Sequence, residues 1–327
     1  MEEKYLITGA AGFIGFNLCL NLLNSGHKVV GVDSITNAYD EKFKLLRLNN
    51  LSKFDKFTFN KLDLSDKSDI QNLENNEIMY DAVFHLAARA GVRQSFLDPL
   101  PYLTDNINAT VNISNFVKKF DLKKLVIAST SSIYGDSGNK LMKENIDEKI
   151  NPPSIYAATK LSGEVIARNI LEDSNTNLII TRFFTVYGPF GRPDMSILRF
   201  IHWIANDLDL KVFGDGKQER SFTYIDDVVN LLTKTLKLNS SETINVGNTS
   251  TSSLIEVIHV IEKALNKHAK IQFLNRAYKD PDVVRPNLEN AKKLLNWEPK
   301  VTIEAGISKT VKWYINYKDE ISNYKYI

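Results

Sequence analysis

Apolar residues in the first part of the chain follow two alternating patterns: short continuous runs, and longer stretches in which they return every three or four positions. KYLIT, GFIGFNLCLNLLNSG and HKVVGVD read in order as strand, helix and strand, with Gly26 as the helix C-terminal cap. FTFNKLD, DAVFHLAA, KKLVIAS and NLIITRFF repeat the strand signal, separated by helical stretches such as LTDNINATVNISNFVKKF and SIYAATKLSGEVIARNI. Strands this apolar and continuous suit a parallel sheet covered on both faces. The expected fold is α/β, a doubly wound parallel sheet over residues 1–181 that also takes in parts of 221–250. Beyond it the elements shorten, with loops at GPFGRPDM and GDGKQERS and helices around ENAKKLLNW and TIEAGISKTVKWYINY. With no internal repeat and no low-complexity linker, residues 182–327 are expected to form a smaller unit interleaved with the first.

Composition narrows the functional classes. The 327 residues are 43% hydrophobic and 24% charged, an ordinary globular balance. A net charge of +2 with acidic and basic residues interspersed argues against nucleic acid as a partner. No apolar run is long enough to span a bilayer, and MEEKYLITG turns strand-like at once, so the expected location is cytoplasmic, away from membranes. Cys19, the single cysteine, falls on an apolar stripe with Ile14, Leu18 and Leu22, where packing is its expected role. The five histidines show no ligand spacing, so no metal site is expected.

Candidate chemistry begins at TGAAGFIG, between the first strand and the first helix. Glycine-rich turns in that context present backbone N–H groups and a helix N-terminus to a pyrophosphate. Gly9 would permit the tight turn, Gly12 the approach of phosphate, and Gly15 close packing of helix on strand. Asp33, at the end of the second strand, stands where a carboxylate accepts hydrogen bonds from ribose hydroxyls and repels a 2′-phosphate, which favours NAD over NADP. A second signal is Tyr156 with Lys160: four residues apart on a helix they share a face, where the ammonium can lower the phenol pKa. Thr130, following KKLVIAS at the C-terminal edge of the sheet, could share a hydrogen bond to the same substrate oxygen. A third is TRFFTVYGPFGRPDM, in which Arg182 and Arg192 bracket an aromatic run, a pattern that reads as an anion clamp.

The G-x-x-G-x-x-G spacing resembles the short-chain dehydrogenase/reductase superfamily, and Thr130, Tyr156 and Lys160 resemble the triad of its extended branch, the nucleotide-sugar epimerases, dehydratases and decarboxylases. The resemblance runs from Tyr5 almost to Tyr317 and implies a Rossmann-type domain with tightly bound NAD, regenerated at each turnover. It implies cofactor contacts from Gly9, Gly12, Phe13, Ile14, Gly15, Asp33, Asp63, Leu64, Leu86, Ala87, Ala88, Asn106, Tyr156 and Lys160. It also implies a homodimer through helices 106–120 and 155–170. Dehydratases and decarboxylases of this branch carry acidic residues just after the threonine, where this chain has Ser131 and Ser132. Serine supplies no extra acid or base at neutral pH, so 4-epimerisation fits.

HLAARAGVRQS and GRPDM are similar to the epimerases that interconvert UDP-glucuronate and UDP-galacturonate. That similarity implies Arg192 and Thr185 on the sugar carboxylate, with Arg93 toward the sugar or diphosphate. It further implies Arg220 on the UDP-sugar diphosphate, Arg285 among the substrate-binding residues, and Asp226-Asp227 as a helix cap. Pro281-Asp282 departs from the epimerase pattern and the R-P-N that follows resembles the decarboxylase branch. A UDP-glucuronate decarboxylase, a 4-epimerase of another UDP-sugar, and a NAD-binding sensor or scaffold without turnover therefore stay open as alternatives.

Overall fold

The computed structural model describes residues 2–75, 79–136, 138, 140–145, 150–275 and 282–326. Pro281 lies outside them. The chain begins as alternating strands and helices: β1 (Lys4–Thr8), α1 (Phe13–Asn24), β2 (Lys28–Asp33), α2 (Lys42–Leu51), β3 (Phe57–Lys61), α3 (Lys67–Glu74) and β4 (Ala82–His85). Short helices α4 (Val92–Leu97) and α5 (Leu100–Tyr102) lead through a π-helical turn at Leu103–Asn108 into α6 (Ala109–Lys119). Strand β5 (Lys124–Thr130), helix α7 (Ile155–Leu171) and strand β6 (Asn177–Phe183) complete this run.

These strands form one parallel sheet. Register pairs such as Leu6↔Val83 and Val83↔Leu125 run straight across its centre. Side chains alternate between two buried faces: Leu6, Val83, Leu125 and Leu178 pack on one, and Ile7, Phe84, Val126 and Ile179 on the other. Two buried faces explain why the strands read as unbroken apolar runs rather than as alternating ones. Cys19 is buried in the second of these cores, as its apolar stripe predicts, and burial raises its thiol pKa.

The remainder crosses back and forth. Strand β7 (Thr185–Tyr187) and helix α8 (Ser196–Ala205) precede β8 (Asp209–Phe213), β9 (Glu219–Arg220), β10 (Phe222–Tyr224) and α9 (Ile225–Thr235). Then β11 (Glu242–Val246) returns to the large sheet, pairing with β6, to give the order β11-β6-β5-β4-β1-β2-β3. The chain ends through β12 (Ser252–Ser253), α10 (Leu254–Leu265), β13 (Lys270–Leu274), β14 (Val283–Val284), α11 (Glu289–Leu295) and α12 (Ile303–Asn316). The other strands pair in three small sheets, β10-β7, β12-β9-β14 and β13-β8.

The expected cap at Asp226-Asp227 is corrected: Tyr224 precedes α9 and both aspartates lie in its first turn. The Asp227 carboxylate instead accepts the backbone N–H groups of Lys300 (3.0 Å) and Val301 (2.9 Å), anchoring the segment that enters α12. Among the described residues no helix is long and apolar enough to cross a membrane, and no group of three or more His, Cys, Asp or Glu side chains could hold a metal ion.

Candidate active site

The glycine-rich loop is packed too tightly for side chains. Gly9 has φ +70°, and a Cβ there would meet the Ala87 nitrogen at 2.8 Å, so this turn lies against the end of β4 where Leu86, Ala87 and Ala88 emerge. A Cβ on Gly15 would stand 2.1 Å from the Gly9 carbonyl oxygen, so the close packing expected of Gly15 against the strand is in fact packing against the turn itself. Gly12 precedes α1 with no side-chain cap, which leaves the first N–H groups of the helix facing outward as an anion cradle. Phe13 is buried and Ile14 half-buried behind it.

Asp33 ends β2 above this loop, where one oxygen accepts the Ala11 N–H (3.2 Å) and the other the Ile35 N–H (2.8 Å). Lys44 from α2 stands 3.4 Å from the same carboxylate, a buried cation that the sequence reading missed. Asp63 is exposed, its carboxylate taken by the Ser65 N–H and hydroxyl, while Leu64 is buried beside it. The Asn106 side-chain amide donates to the Arg89 carbonyl and Thr159 hydroxyl and accepts the Arg89 N–H. Asn106 is 2% exposed and braces the chain beyond Ala88.

Helix α7 brings the second group together. Ser154 caps it by accepting the Ala157 N–H (3.1 Å), which sets Tyr156 in the first turn and Lys160 one turn later. Burial raises the Tyr156 pKa, whereas a hydrogen bond with the Thr130 hydroxyl and the charge of Arg192 pull it down. Lys160 is the cation expected to do this, but the charge that lowers the Tyr156 pKa in this arrangement is that of Arg192. Burial brings the Lys160 ammonium itself down to about 8, opposed by the Glu164 carboxylate. Thr130 Oγ1 also accepts the Ser132 N–H (3.1 Å), so Ser131 and Ser132 begin a 3₁₀ turn directly beside the triad.

One further helical turn along the same face, Glu164 forms a two-pronged ion pair with Arg182, at 2.9 Å and 2.6 Å, and accepts a hydrogen bond from Ser129. Arg182 continues to the Tyr134 hydroxyl (3.0 Å) and Glu144 carbonyl (2.8 Å). Arg182 is therefore buried beneath the triad and takes no part in the clamp expected of it.

Arg192 does face the site. It shares a narrow pocket with Phe13, Thr185, Met195 and Ser196, joining the glycine-rich loop to the GRPDM loop. Its guanidinium fork rests on Asp194, with Nε–Oδ1 3.0 Å and Nη2–Oδ2 2.5 Å. Arg93 is exposed on α4 with its guanidinium 4.6 Å from the Phe213 ring. Arg220 and Arg285 lie together on β9 and just past β14, which pair at Arg220↔Val284. Arg220 donates to the Glu219 carbonyl (2.7 Å), whereas the buried Arg285 Nε has no hydrogen-bond partner among the described residues.

Comparisons with known proteins show the family and the fold. Residues 5–247 match the model of the NAD dependent epimerase/dehydratase family. A UDP-glucuronate 4-epimerase of Thermodesulfobacterium geofontis is 42% identical over 311 residues, covering 94% of this chain and 95% of that protein. The crystal structure of UDP-glucuronic acid 4-epimerase from Bacillus cereus, in complex with UDP-glucuronic acid and NAD, superimposes with a TM-score of 0.89 at 35% identity, over 96% of this chain and 99% of that one. A UDP-N-acetylglucosamine 4-epimerase from Methanobrevibacter ruminantium M1 gives 0.87 at 28% identity, over 96% and 99%.

Proposed function

The chain belongs to the NAD dependent epimerase/dehydratase family, and on that premise we propose that it is an NAD-dependent isomerase interconverting UDP-glucuronate and UDP-galacturonate by 4-epimerisation. The observation that carries this reading is the shared pocket of Thr185 and Arg192, whose charge also reaches Tyr156. A guanidinium suited to a carboxylate, with its charge felt at the acid-base group, is what supports the uronate as substrate.

The chain's own residues fit NAD. The turn from Gly9 to Gly15, with no room for a Cβ at Gly9, Gly12 or Gly15, and the uncapped start of α1 suit a pyrophosphate, and Asp33 suits the adenosine ribose. Bound NAD supplies the reversible removal and return of the C4 hydrogen with its electron pair, leaving a transient 4-keto sugar between the two events. Tyr156 takes the proton from the C4 hydroxyl and later returns it, while Thr130 holds the same oxygen. Lys160 supplies positive charge within the buried site. Ser131 and Ser132 offer no second acid or base, so no elimination is supported after oxidation.

A 4-keto uronate is a β-keto acid and loses carbon dioxide when its carboxylate bond aligns with the carbonyl π system. Arg192 and Thr185 hold the carboxylate out of that alignment, and Arg220 and Arg285 supply charge for the diphosphate. The Asp194 carboxylate now occupies the Arg192 fork, so the uronate must displace it or bind the remaining N–H edge.

A homodimer is supported by Leu100, Leu103 and Val165, which are 69%, 44% and 49% exposed on the surface where α5, the π-helical turn and α7 meet. The decisive experiment incubates purified protein with UDP-glucuronate without added NAD and separates the products. UDP-galacturonate approaching equilibrium is expected. UDP-xylose instead would establish a decarboxylase, and no turnover with NAD bound would leave only a sensor or scaffold.

A further inference from the structure

Arg47 has no role in the chemistry above, yet it joins the two loops that carry that chemistry. It is fully buried on α2. Its Nη1 donates to the Ala11 carbonyl (2.9 Å) in the glycine-rich loop and to the Tyr39 hydroxyl (2.6 Å). Its Nε donates to the Phe190 carbonyl (3.0 Å) and its Nη2 to the Gly191 carbonyl (2.9 Å), the two residues directly before Arg192. All of these acceptors are neutral. A guanidinium removed from water gains no ion-pair attraction from such partners, so what the arrangement achieves is the placement of three carbonyls around one rigid fork.

The segment it holds would not settle there unaided. Phe190 has φ +57°, a left-handed conformation disfavoured for a residue with a side chain. Its ring packs on Phe16 of α1 (4.6 Å) and Trp313 of α12 (5.0 Å), which fixes the side chain, while Arg47 fixes the carbonyl. The Tyr39 ring lies between the guanidinium groups of Arg47 (5.5 Å) and Arg192 (5.6 Å).

We propose that Arg47 is a positioning residue for uronate selection, tying Phe190 and Gly191 to Ala11 so that Arg192 keeps a fixed register with the cofactor loop. The inference rests on the uronate reading above. It assigns Arg47 no contact with either ligand and makes its whole effect pass through Arg192.

The test is equilibrium binding of UDP-glucuronate and UDP-glucose by calorimetry to the protein as purified, for wild type, Arg47→Met, Arg47→Lys, Arg192→Ala and the double variants. Arg47→Met should reduce the preference for UDP-glucuronate by about tenfold. Arg47→Lys should restore little of it, because one ammonium cannot reach carbonyls on two loops as a fork does. In the Arg192→Ala background neither Arg47 change should alter the preference further. Thermal unfolding identifies folded variants, and Arg47→Lys carries the cycle if Arg47→Met does not fold. Independent, multiplying effects, or equal weakening of both ligands, would overturn the coupling alone. An unchanged preference in Arg192→Ala would overturn the uronate reading, and this inference with it.

Discussion

Arg192 holds one guanidinium among the Asp194 carboxylate and two phenols, Tyr39 and Tyr156, and each neighbour makes a separate demand on it. Its fork rests on Asp194, and its charge lowers the pKa of Tyr156 against the effect of burial. Arg192→Ala should therefore do two things at once. Affinity for UDP-glucuronate should fall about ten- to a hundredfold relative to UDP-glucose, the range for losing a hydrogen bond to a charged group. The Tyr156 pKa should also rise, because one of its two downward pulls is gone, so the alkaline-side activation of kcat should move to higher pH. Product analysis should further reveal decarboxylated sugar, since the 4-keto acid is no longer restrained. Equal losses on charged and neutral sugars with an unmoved pH profile would show that GRPDM is only a structural loop. Residues like Tyr156, Lys160 and the glycines were legible because spacing along one helix or turn fixes their mutual geometry. Arg182 was misread because nothing in TRFF reveals that its partner is Glu164 on another element. The bracing by Asn106 is not legible in the sequence because its partners, Arg89 and Thr159, come from two different segments.

The same distinction separates helices. Helix α7 declared itself through an apolar periodicity and a serine cap, and the helix carries Tyr156 and Lys160 one turn apart, as their spacing predicts. What lay one turn further, Glu164, could be any solvated helix glutamate until β6 supplies Arg182 across the sheet edge. Helix α2 was not seen at all, because Lys44 and Arg47 occupy its inward face, where periodicity arguments look for apolar residues. Its burial of charge becomes intelligible only with Asp33 and the loop carbonyls in place. The expectation for α7 is specific. Glu164→Gln keeps the shape but leaves the 2%-exposed Arg182 without its carboxylate, which should destabilise the protein by about 3–5 kcal/mol. Glu164 also raises the Lys160 pKa from a value that burial depresses, so its removal should push Lys160 below its present value of about 8. Loss of activity with rising pH should then begin at lower pH than in wild type. A stable variant with an unchanged alkaline limb would show that the pair neither supports the fold nor tunes the ammonium.

Across the whole molecule, the chain leaves the large sheet after β6 and returns to it at β11, and this was legible only in outline. The run of strands to residue 183 and an undefined return from 221–250 could be read, but ETINV closes the sheet as β11 by pairing with β6, a contact no local pattern encodes. The chain's last residues also link distant elements. Phe43 of α2 meets the rings of Tyr324 (5.0 Å) and Tyr326 (5.5 Å), and Tyr326 stacks on His202 of α8 at 3.6 Å. The helix that carries Arg47 is thereby fastened to the helix that follows Arg192. His202 also accepts or donates a hydrogen bond with Tyr314 (2.9 Å), and burial, helped by Lys318, lowers its pKa from 6.5 to about 4. The sign follows directly: the folded protein holds His202 neutral while the unfolded chain takes up a proton below pH 6.5, so stability is full above that value and falls toward pH 4. His85, pushed to about 3 by burial and by Lys160, adds a second contribution in the same direction. Each contributes a slope of up to about 1.4 kcal/mol per pH unit in that window. Urea unfolding at pH 7 and pH 5 should show a marked loss in wild type and a smaller one in His202→Gln, whose stability at pH 7 is already reduced. Parallel losses in both proteins would mean that the seam between α2, α8 and the C-terminal tyrosines does not set the acid limit of the fold.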